Sequence, residues 1–261
     1  MKSRLGVGFR ERVKRDGVVR ALVGAIGWRL QRALSPAYTA LVPPQRWPLA
    51  LVRERVDTQL DLFKLENLVK FLEETNFLKG HVVECGVYRG GTLVTLALWL
   101  ERLGSSRRVH GFDSFEGLPE PSPHDKPANM EQRAIKGRLA GTEDAVWAKA
   151  KRLSVADRIV LHKGFFEETI PAFPDSPLSL IHLDCDLFAS YKVCLTHLWP
   201  RLQPGGVVVF DEFEDPAWPG AGLAIEEFFR NTVEKPTALA FGQGYVRKLP
   251  PRARGRGHGE L

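Results

Sequence analysis

The chain has 261 residues, of which 44% are hydrophobic and 26% charged, and this composition excludes a collagen, a disordered acidic chain and a repeat array. The net charge of +6 lies at the ends, since residues 1–35 carry nine Lys and Arg against two acids, and residues 247–261 carry five against one. The body between them is therefore acidic. Because the sequence also has no zinc-finger or aromatic RNA-binding motif, we predict no nucleic-acid partner.

Three cysteines, Cys85, Cys185 and Cys194, form an odd set without a C-x-x-C pair. This pattern argues against a disulfide scaffold and a cysteine-rich zinc module, and it fits a reducing compartment. We therefore predict a cytoplasmic protein. The sequence has no run of about 18 uncharged apolar residues, so it predicts no transmembrane helix.

Residues 17–34 place apolar side chains at helical spacing with Arg20, Arg29 and Arg32 between them, which predicts a basic amphipathic helix. Its apolar stripe suits a second copy of the chain or the mouth of a site, so we favour a homo-oligomer, with weak membrane-surface contact as the alternative. Prolines at 36, 43, 44 and 48 indicate a linker. We assign residues 1–54 to this helical extension and linker, and residues 250–261 to a disordered Gly/Arg-rich tail.

Residues 55–249 are predicted to form an α/β domain. A helix over 58–74 precedes strands that alternate with helices, which predicts right-handed crossovers and a mostly parallel sheet of seven strands with helices on both faces. The predicted strands are 81–85, 108–112, 158–162, 178–184, 207–211, 237–241 and 244–249. The predicted helices between them are 92–103, 143–153, 189–202 and 221–231. Residues 117–142, rich in Pro and Gly, are interpreted as a lid or as disordered.

The first predicted strand turns into its helix through Glu84-Cys85-Gly86-Val87-Tyr88-Arg89-Gly90-Gly91-Thr92. Gly86 suits a tight turn, and Gly90 and Gly91 allow the backbone to approach a ligand at a helix N-terminus. The glycine spacing differs from G-x-G-x-x-G, which disfavours a nicotinamide dinucleotide. At the end of the next strand, Asp113 is placed to accept the hydroxyls of a ribose.

Two further apolar strands end in acids, Asp184 and Asp186 after one and Asp211 and Glu212 after the other. If these strands are neighbours, about 4.8 Å apart, Asp184 lies opposite the second pair. Carboxylates that close repel one another unless a cation lies between them, and all-oxygen ligation favours Mg²⁺ or Mn²⁺ over zinc. His182, two residues inside its strand, is predicted to be a core residue or to support the site from behind.

Five motifs in order resemble those of the macrocin O-methyltransferase (TylF/MycF-like) family of S-adenosylmethionine-dependent enzymes. They stand at residues 84–91, 112–119, 164–171, 183–188 and 211–213, and the resemblance extends over about residues 55–246. It implies a Rossmann-like class I methyltransferase fold. It also implies Mg²⁺-dependent methylation of a sugar hydroxyl on a glycosylated natural product.

The resemblance implies roles for individual residues as well. Glu84 and Gly86 would flank the methionine moiety of S-adenosylmethionine, and Asp113 would hold its ribose. The other predicted cofactor contacts are Val87, Tyr88, Gly90, Gly91, Thr92 and Ser114. The predicted Mg²⁺ ligands are Asp184, Asp211 and Glu212, and the plausible base is Asp184 or Asp186.

The sequence departs from the family pattern at two places. The family usually has Asp-Asp-Tyr where Asp211-Glu212-Phe213 stands, and Tyr where Phe188 stands. Glu212 can still bind a metal, but two phenol groups are missing. Three alternatives stay open: a methyltransferase with a non-sugar acceptor, an oxidoreductase on the same sheet, and a non-catalytic scaffold or membrane-peripheral protein that retains the fold.

Overall fold

The computed structural model of the protein describes residues 42–251. The chain divides into two compact units, residues 1–52 and 53–261. The predicted helix over 17–34 and most of the predicted tail, residues 252–261, lie outside the described residues. Among the residues predicted as a linker, Pro44–Arg46 forms a 3₁₀ turn and Leu49–Val56 forms helix α1. The linker prediction is therefore wrong for α1, since Pro48 precedes its first turn, where proline does not interrupt a helix.

Seven strands form one mixed sheet in the order β3-β2-β1-β4-β5-β7-β6. Strands β1 to β5 pair in parallel, and β7 runs antiparallel to both β5 and β6. The predicted mostly parallel, seven-stranded sheet is thus confirmed. The strands are β1 His81–Cys85, β2 Val109–Asp113, β3 Ile159–Lys163, β4 Leu178–Leu183, β5 Leu202–Phe210, β6 Thr237–Ala238 and β7 Gly244–Arg247.

The helices of this unit alternate with the strands. They are α2 Leu62–Glu74, α3 Gly91–Arg102, α4 Glu143–Arg152, α5 Phe166–Thr169, α6 Phe188–Leu198 and α7 Pro219–Phe229. Helix α2 begins four residues later than predicted because the Asp61 side chain accepts a hydrogen bond from Lys64 N at 2.9 Å and caps it. Helix α5 has one turn and was not predicted, since four residues are too few to show a period.

The strand order reverses between β1 and β4. From β1 the chain moves outward through β2 to β3, whereas from β4 it moves the other way to β5. Right-handed crossovers in opposite directions place α3 and α6 on opposite faces of the sheet. The crevice beside the ends of β1 and β4 is therefore the topological switch point, where such sheets bind ligands.

The main apolar core packs α6 and α7 against β4 and β5. All six residues of β4 are buried, and four of them, Leu178, Leu180, Ile181 and Leu183, are apolar, as expected for a central strand covered on both faces. The three cysteines are free and buried. Within residues 42–251, no helix has the length and apolar character needed to cross a membrane.

Candidate active site

A cavity of about 390 Å³ lies at the carboxyl ends of the parallel strands. One side is lined by residues predicted to bind the cofactor, and the other by the predicted acidic residues. The first group is Gly86, Tyr88, Asp113 and Ser114, and the second is Asp184, Asp186, Asp211 and Glu212. The structure thus brings together two motifs that stand about 100 residues apart in the sequence.

The turn after β1, which we call the floor turn (residues 85–88), joins these two sides. Gly86 has φ +93°, and a Cβ atom there would overlap the carbonyl oxygen of Asp184. Gly86 N donates to Phe112 O, and Asp184 N donates to Cys85 O, both at 3.0 Å. Position 86 therefore requires glycine for its conformation and for the close approach of the β4 backbone.

Asp113 holds the floor turn from β2. Its Oδ2 accepts hydrogen bonds from Val87 N at 2.8 Å and Tyr88 N at 2.7 Å, and its Oδ1 accepts one from Phe115 N at 2.6 Å. Burial raises the pKa of Asp113, and these three bonds oppose the rise. The carboxylate thus already organises the backbone of the predicted cofactor site, and its contact with a ribose stays a prediction.

Five of the predicted cofactor residues do not line the cavity: Glu84, Val87, Gly90, Gly91 and Thr92. The structure gives three of them packing contacts instead. A Cβ on Gly91 would meet the Thr58 backbone at 2.5 Å, and one on Gly90 would meet Val146 at 2.8 Å. The hydroxyls of Thr92 and Thr58 are 2.8 Å apart. Close packing against protein thus accounts for these small residues, and their ligand contacts stay predictions.

Glu84 is not among the residues that line the cavity. It is fully buried, and its Oε1 lies 3.0 Å from Nδ1 of His182. Burial raises the pKa of Glu84 to about 7. Burial opposes charge on His182 too, but Asp211 and Glu84 on either side raise its pKa to about 10. His182 is thus a fully buried residue beside two carboxylates, Glu84 and Asp211, and its support of the site stays a prediction.

Three carboxylates form the acidic cluster of the cavity. Asp184, Asp186 and Glu212 each offer an oxygen, and these oxygens all lie within 4.8 Å of one another. Burial and the charge of Asp211 raise the pKa of Asp184 to about 6, and burial with the charges of Asp184 and Asp211 holds the pKa values of Asp186 and Glu212 well above their ordinary range. Oxygen ligands so placed suit a hard divalent cation, which would relieve their repulsion.

Asp211, a predicted metal ligand, stands apart from this cluster. Lys64 Nζ donates to Asp211 Oδ2 at 2.7 Å and to Asp211 O at 2.9 Å, and Gln243 Nε2 donates to Oδ1 at 3.3 Å. Burial opposes its charge, but His182 and Lys64 hold the pKa of Asp211 below its ordinary value. The structure therefore groups Asp186, rather than Asp211, with Asp184 and Glu212.

Several cavity residues were not identified as site residues from the sequence. Lys64 projects from the first turn of α2, and Trp218 precedes α7. Phe165, Phe166 and Glu167 also line the cavity, and they belong to the motif at 164–171, to which no role was given. That motif was the one available signal, since nothing in the local sequence marks Lys64 or Trp218.

Comparison with known proteins relates this site to a family. The profile described as Macrocin-O-methyltransferase (TylF) matches residues 55–239. The 8-demethyl-8-(2,3-dimethoxy-alpha-L-rhamnosyl)-tetracenomycin-C 4'-O-methyltransferase of Streptomyces olivaceus is 35% identical over 162 residues, which are 60% of this chain and 62% of that protein. The mycinamicin III 3''-O-methyltransferase of Micromonospora griseorubida is 29% identical over 168 residues, or 61% of this chain and 66% of that protein. The chain thus matches less than two thirds of the length of either relative.

Solved structures give the same fold. The O-methyltransferase NovP superposes with a TM-score of 0.66 at 26% identity, covering 74% of this chain and 82% of that one. The calicheamicin methyltransferase CalS11 superposes with a TM-score of 0.63 at 24% identity, covering 83% and 90%. The Rossmann-like methyltransferase fold is therefore confirmed for the described residues.

Proposed function

The chain belongs to the macrocin O-methyltransferase (TylF) family, and from this premise we propose that it methylates a hydroxyl of a sugar-bearing small molecule with S-adenosylmethionine. One observation carries the proposal, which is that a single cavity joins the turn held by Asp113 to the cluster of Asp184, Asp186 and Glu212. The Streptomyces olivaceus relative above, a methyltransferase of a rhamnosyl-tetracenomycin, supports the sugar acceptor.

The cofactor half of the cavity would be formed by the floor turn and by the end of β2. S-adenosylmethionine carries a methyl group already activated by its sulfonium, so the protein chiefly has to align the acceptor oxygen with that methyl. Gly86 lets the backbone after β4 approach the floor turn closely, and Asp113 fixes the conformation of the turn. Ser114 and Tyr88 complete the wall on this side.

The acidic cluster fits Mg²⁺ by the chemistry of its donors, since three carboxylate oxygens lie within 4.8 Å of one another. Asp184, Asp186 and Glu212 would hold the ion, which would supply Lewis acidity that lowers the pKa of a hydroxyl. Lys64 neutralises Asp211 beside them, so the cluster presents three acidic groups rather than four.

The proton of the hydroxyl would pass to a carboxylate oxygen of Asp184 or Asp186, both of which line the cavity. Leu187 occupies the position where catechol-type enzymes have a lysine base, and Lys64, the lysine that lines the cavity, is paired with Asp211. A carboxylate base is therefore favoured. The lid segment (residues 117–142) contributes Leu118, Pro119 and Leu139 to the cavity wall, where apolar side chains exclude water.

Calorimetry with S-adenosylhomocysteine, NAD and MgCl₂ on the full chain tests this function directly. We expect S-adenosylhomocysteine to bind and NAD not to bind, and we expect methyl transfer from labelled S-adenosylmethionine to a panel of rhamnosides to stop in EDTA. Binding of NAD alone would favour an oxidoreductase. Binding of neither ligand would favour the scaffold alternative, and transfer to phenols but not to glycosides would overturn the sugar acceptor.

The quaternary state and location are further parts of the proposal. The apolar stripe predicted within 17–34 supports a homo-oligomer, and the three free, buried cysteines fit a reducing cytoplasm. Light scattering on the full chain and on a chain lacking residues 1–35 tests the first part. Equal masses per protein would contradict a role of this segment in assembly.

A further inference from the structure

The lid segment is an ordered part of the domain. Leu118 N donates to Arg138 O at 2.8 Å, and Gly137 N donates to Leu118 O at 2.9 Å, so its two ends are hydrogen bonded to each other. Two of its residues, Leu118 and Ala134, pack into a small apolar cluster with Leu187, Ala217 and Trp218. Because Leu187 precedes α6 and Trp218 precedes α7, the cluster attaches the lid segment to the starts of both helices.

Asp125 lies at the centre of this attachment and is only 2% exposed. Its Oδ2 accepts hydrogen bonds from Ser122 N at 2.8 Å and from Ser122 Oγ at 2.7 Å, within the lid segment. Its Oδ1 accepts one from Phe188 N at 2.7 Å, 63 residues away. No lysine, arginine or histidine within residues 42–251 forms an ion pair with it, so its charge is held by backbone and hydroxyl donors.

Phe188 N is the first amide of α6, whose own N-cap residue, Leu187, has no side-chain oxygen to cap it. Asp125 therefore caps α6 from a distant part of the chain. The approach is tight, because a Cβ on Gly220 in the first turn of α7 would overlap Asp125 Oδ1. The ring of His124 lies 4.4 Å from that of Phe188 and covers the same junction.

This cap lies next to Asp186, which stands two positions before α6. Asp186 has φ +59°, a conformation that costs free energy for a residue with a side chain. Leu187 N donates to Cys185 O at 2.6 Å around it. A fixed first turn of α6 thus holds Asp186 in the acidic cluster against its own backbone preference.

We infer that Asp125 is a positioning residue that fixes the lid segment and the Asp186 carboxylate together, so that the wall of the cavity and its acidic cluster form as one unit. Only the metal-binding part of this inference rests on the proposed function. Ordering of the lid segment and of the first turn of α6 is a property of the protein without any ligand.

Hydrogen exchange on the full chain tests the inference. In Asp125→Ala we expect the amides of 117–142 and of 186–188 to exchange about tenfold faster, the loss appropriate to a charge-assisted hydrogen bond. Asp125→Asn keeps an oxygen for Phe188 N but loses the acceptor for Ser122 N. In this variant the amides of 186–188 should therefore exchange as slowly as in the wild type, whereas those of 117–142 should exchange faster. Ser122→Ala, which removes a single donor, should loosen only the lid segment.

Titration with Mn²⁺, followed by electron paramagnetic resonance, provides a measurement that a merely structural cap would not change. We expect Asp125→Ala to weaken Mn²⁺ binding about tenfold while S-adenosylhomocysteine affinity changes less than twofold. Wild-type Mn²⁺ affinity in Asp125→Ala would overturn the positioning role. If the wild type binds no Mn²⁺, the proposed metal site is wrong. The inference is then tested by hydrogen exchange at 186–188 alone, and unchanged protection of these amides in Asp125→Ala would overturn it.

Discussion

The hydroxyl of Tyr191 on α6 lies 2.6 Å from Oε2 of Glu212 and 2.9 Å from the Leu183 carbonyl oxygen. Both side chains are buried, Tyr191 completely and Glu212 to within 3%. The sequence shows Glu212 where the related family has aspartate, and Phe188 where it has tyrosine. A phenol one helical turn beyond Phe188 therefore orients the longer carboxylate of this chain.

Removal of that phenol should weaken metal binding. In Tyr191→Phe we expect about tenfold weaker Mn²⁺ binding, since one hydrogen bond to a carboxylate contributes about 1.5–3 kcal/mol. Electron paramagnetic resonance measures the affinity. Tyr245→Phe is the matched control, because Tyr245 lies on β7 and packs its ring on Phe71. This variant should bind Mn²⁺ with the affinity of the wild type. Equal affinity in both variants would exclude Tyr191 from the site.

Lys64→Met should destabilise the protein without metal and make it depend more on a divalent cation. The variant leaves Asp211 without its cation beside three other buried acids, and loss of one partner of a buried ion pair costs about 3 kcal/mol. Thermal unfolding in EDTA and in MgCl₂ measures both effects. Lys64→Met combined with Asp211→Asn should recover part of the lost stability. A melting temperature of Lys64→Met in EDTA equal to that of the wild type would contradict this role of Lys64.

Asp113→Asn should lower both stability and cofactor affinity. The amide can no longer accept at both positions, so at least one of the bonds to Val87 N, Tyr88 N and Phe115 N is lost at a cost of about 1.5–3 kcal/mol. We expect a lower melting temperature and roughly 10- to 100-fold weaker S-adenosylhomocysteine binding by calorimetry. Asp175→Asn, at an exposed carboxylate outside the cavity-lining residues, serves as the matched control. Full affinity in Asp113→Asn would remove this carboxylate from the cofactor site.

Acid should destabilise the protein through His110, away from the cavity. Burial, with His81, His162 and Arg108 nearby, lowers the pKa of His110 to about 4, and its Nδ1 lies 3.0 Å from Nε2 of His162. In the unfolded chain His110 takes up a proton near pH 6.5, whereas in the folded protein it does so only near pH 4. The stability that neutral His110 contributes is therefore fully present above pH 6.5 and is lost as the pH falls towards 4.

His110→Gln removes the titrating group. Melting temperatures measured from pH 7.5 to 4.5 should therefore fall less steeply in this variant than in the wild type. Other acid-sensitive groups act in both proteins, so the difference between the two curves isolates His110. Parallel curves would show that His110 keeps its ordinary pKa in the folded protein.

The sequence was sufficient to predict those features that arise from local patterns. The mostly apolar segment Leu178–Leu183 identifies a buried central strand, and acids directly after β4 and β5 must meet at one edge of the sheet. Lys64 and Asp211, by contrast, are 147 residues apart, and Asp125 and Phe188 are 63 apart. Such pairs depend on how loops and helices pack onto the finished sheet, which the period of one segment does not encode.

The overlap that any Cβ at position 86 would make with the Asp184 carbonyl limits how this cavity can be redesigned. A larger side chain there would separate β1 from β4 and disturb both halves of the cavity at once, so position 86 of the floor turn requires glycine. Pro119 and Leu139 line the cavity outside the apolar cluster that attaches the lid segment, and they meet no such constraint. Engineering that seeks a new acceptor should therefore vary these two positions and leave the base of the cavity untouched.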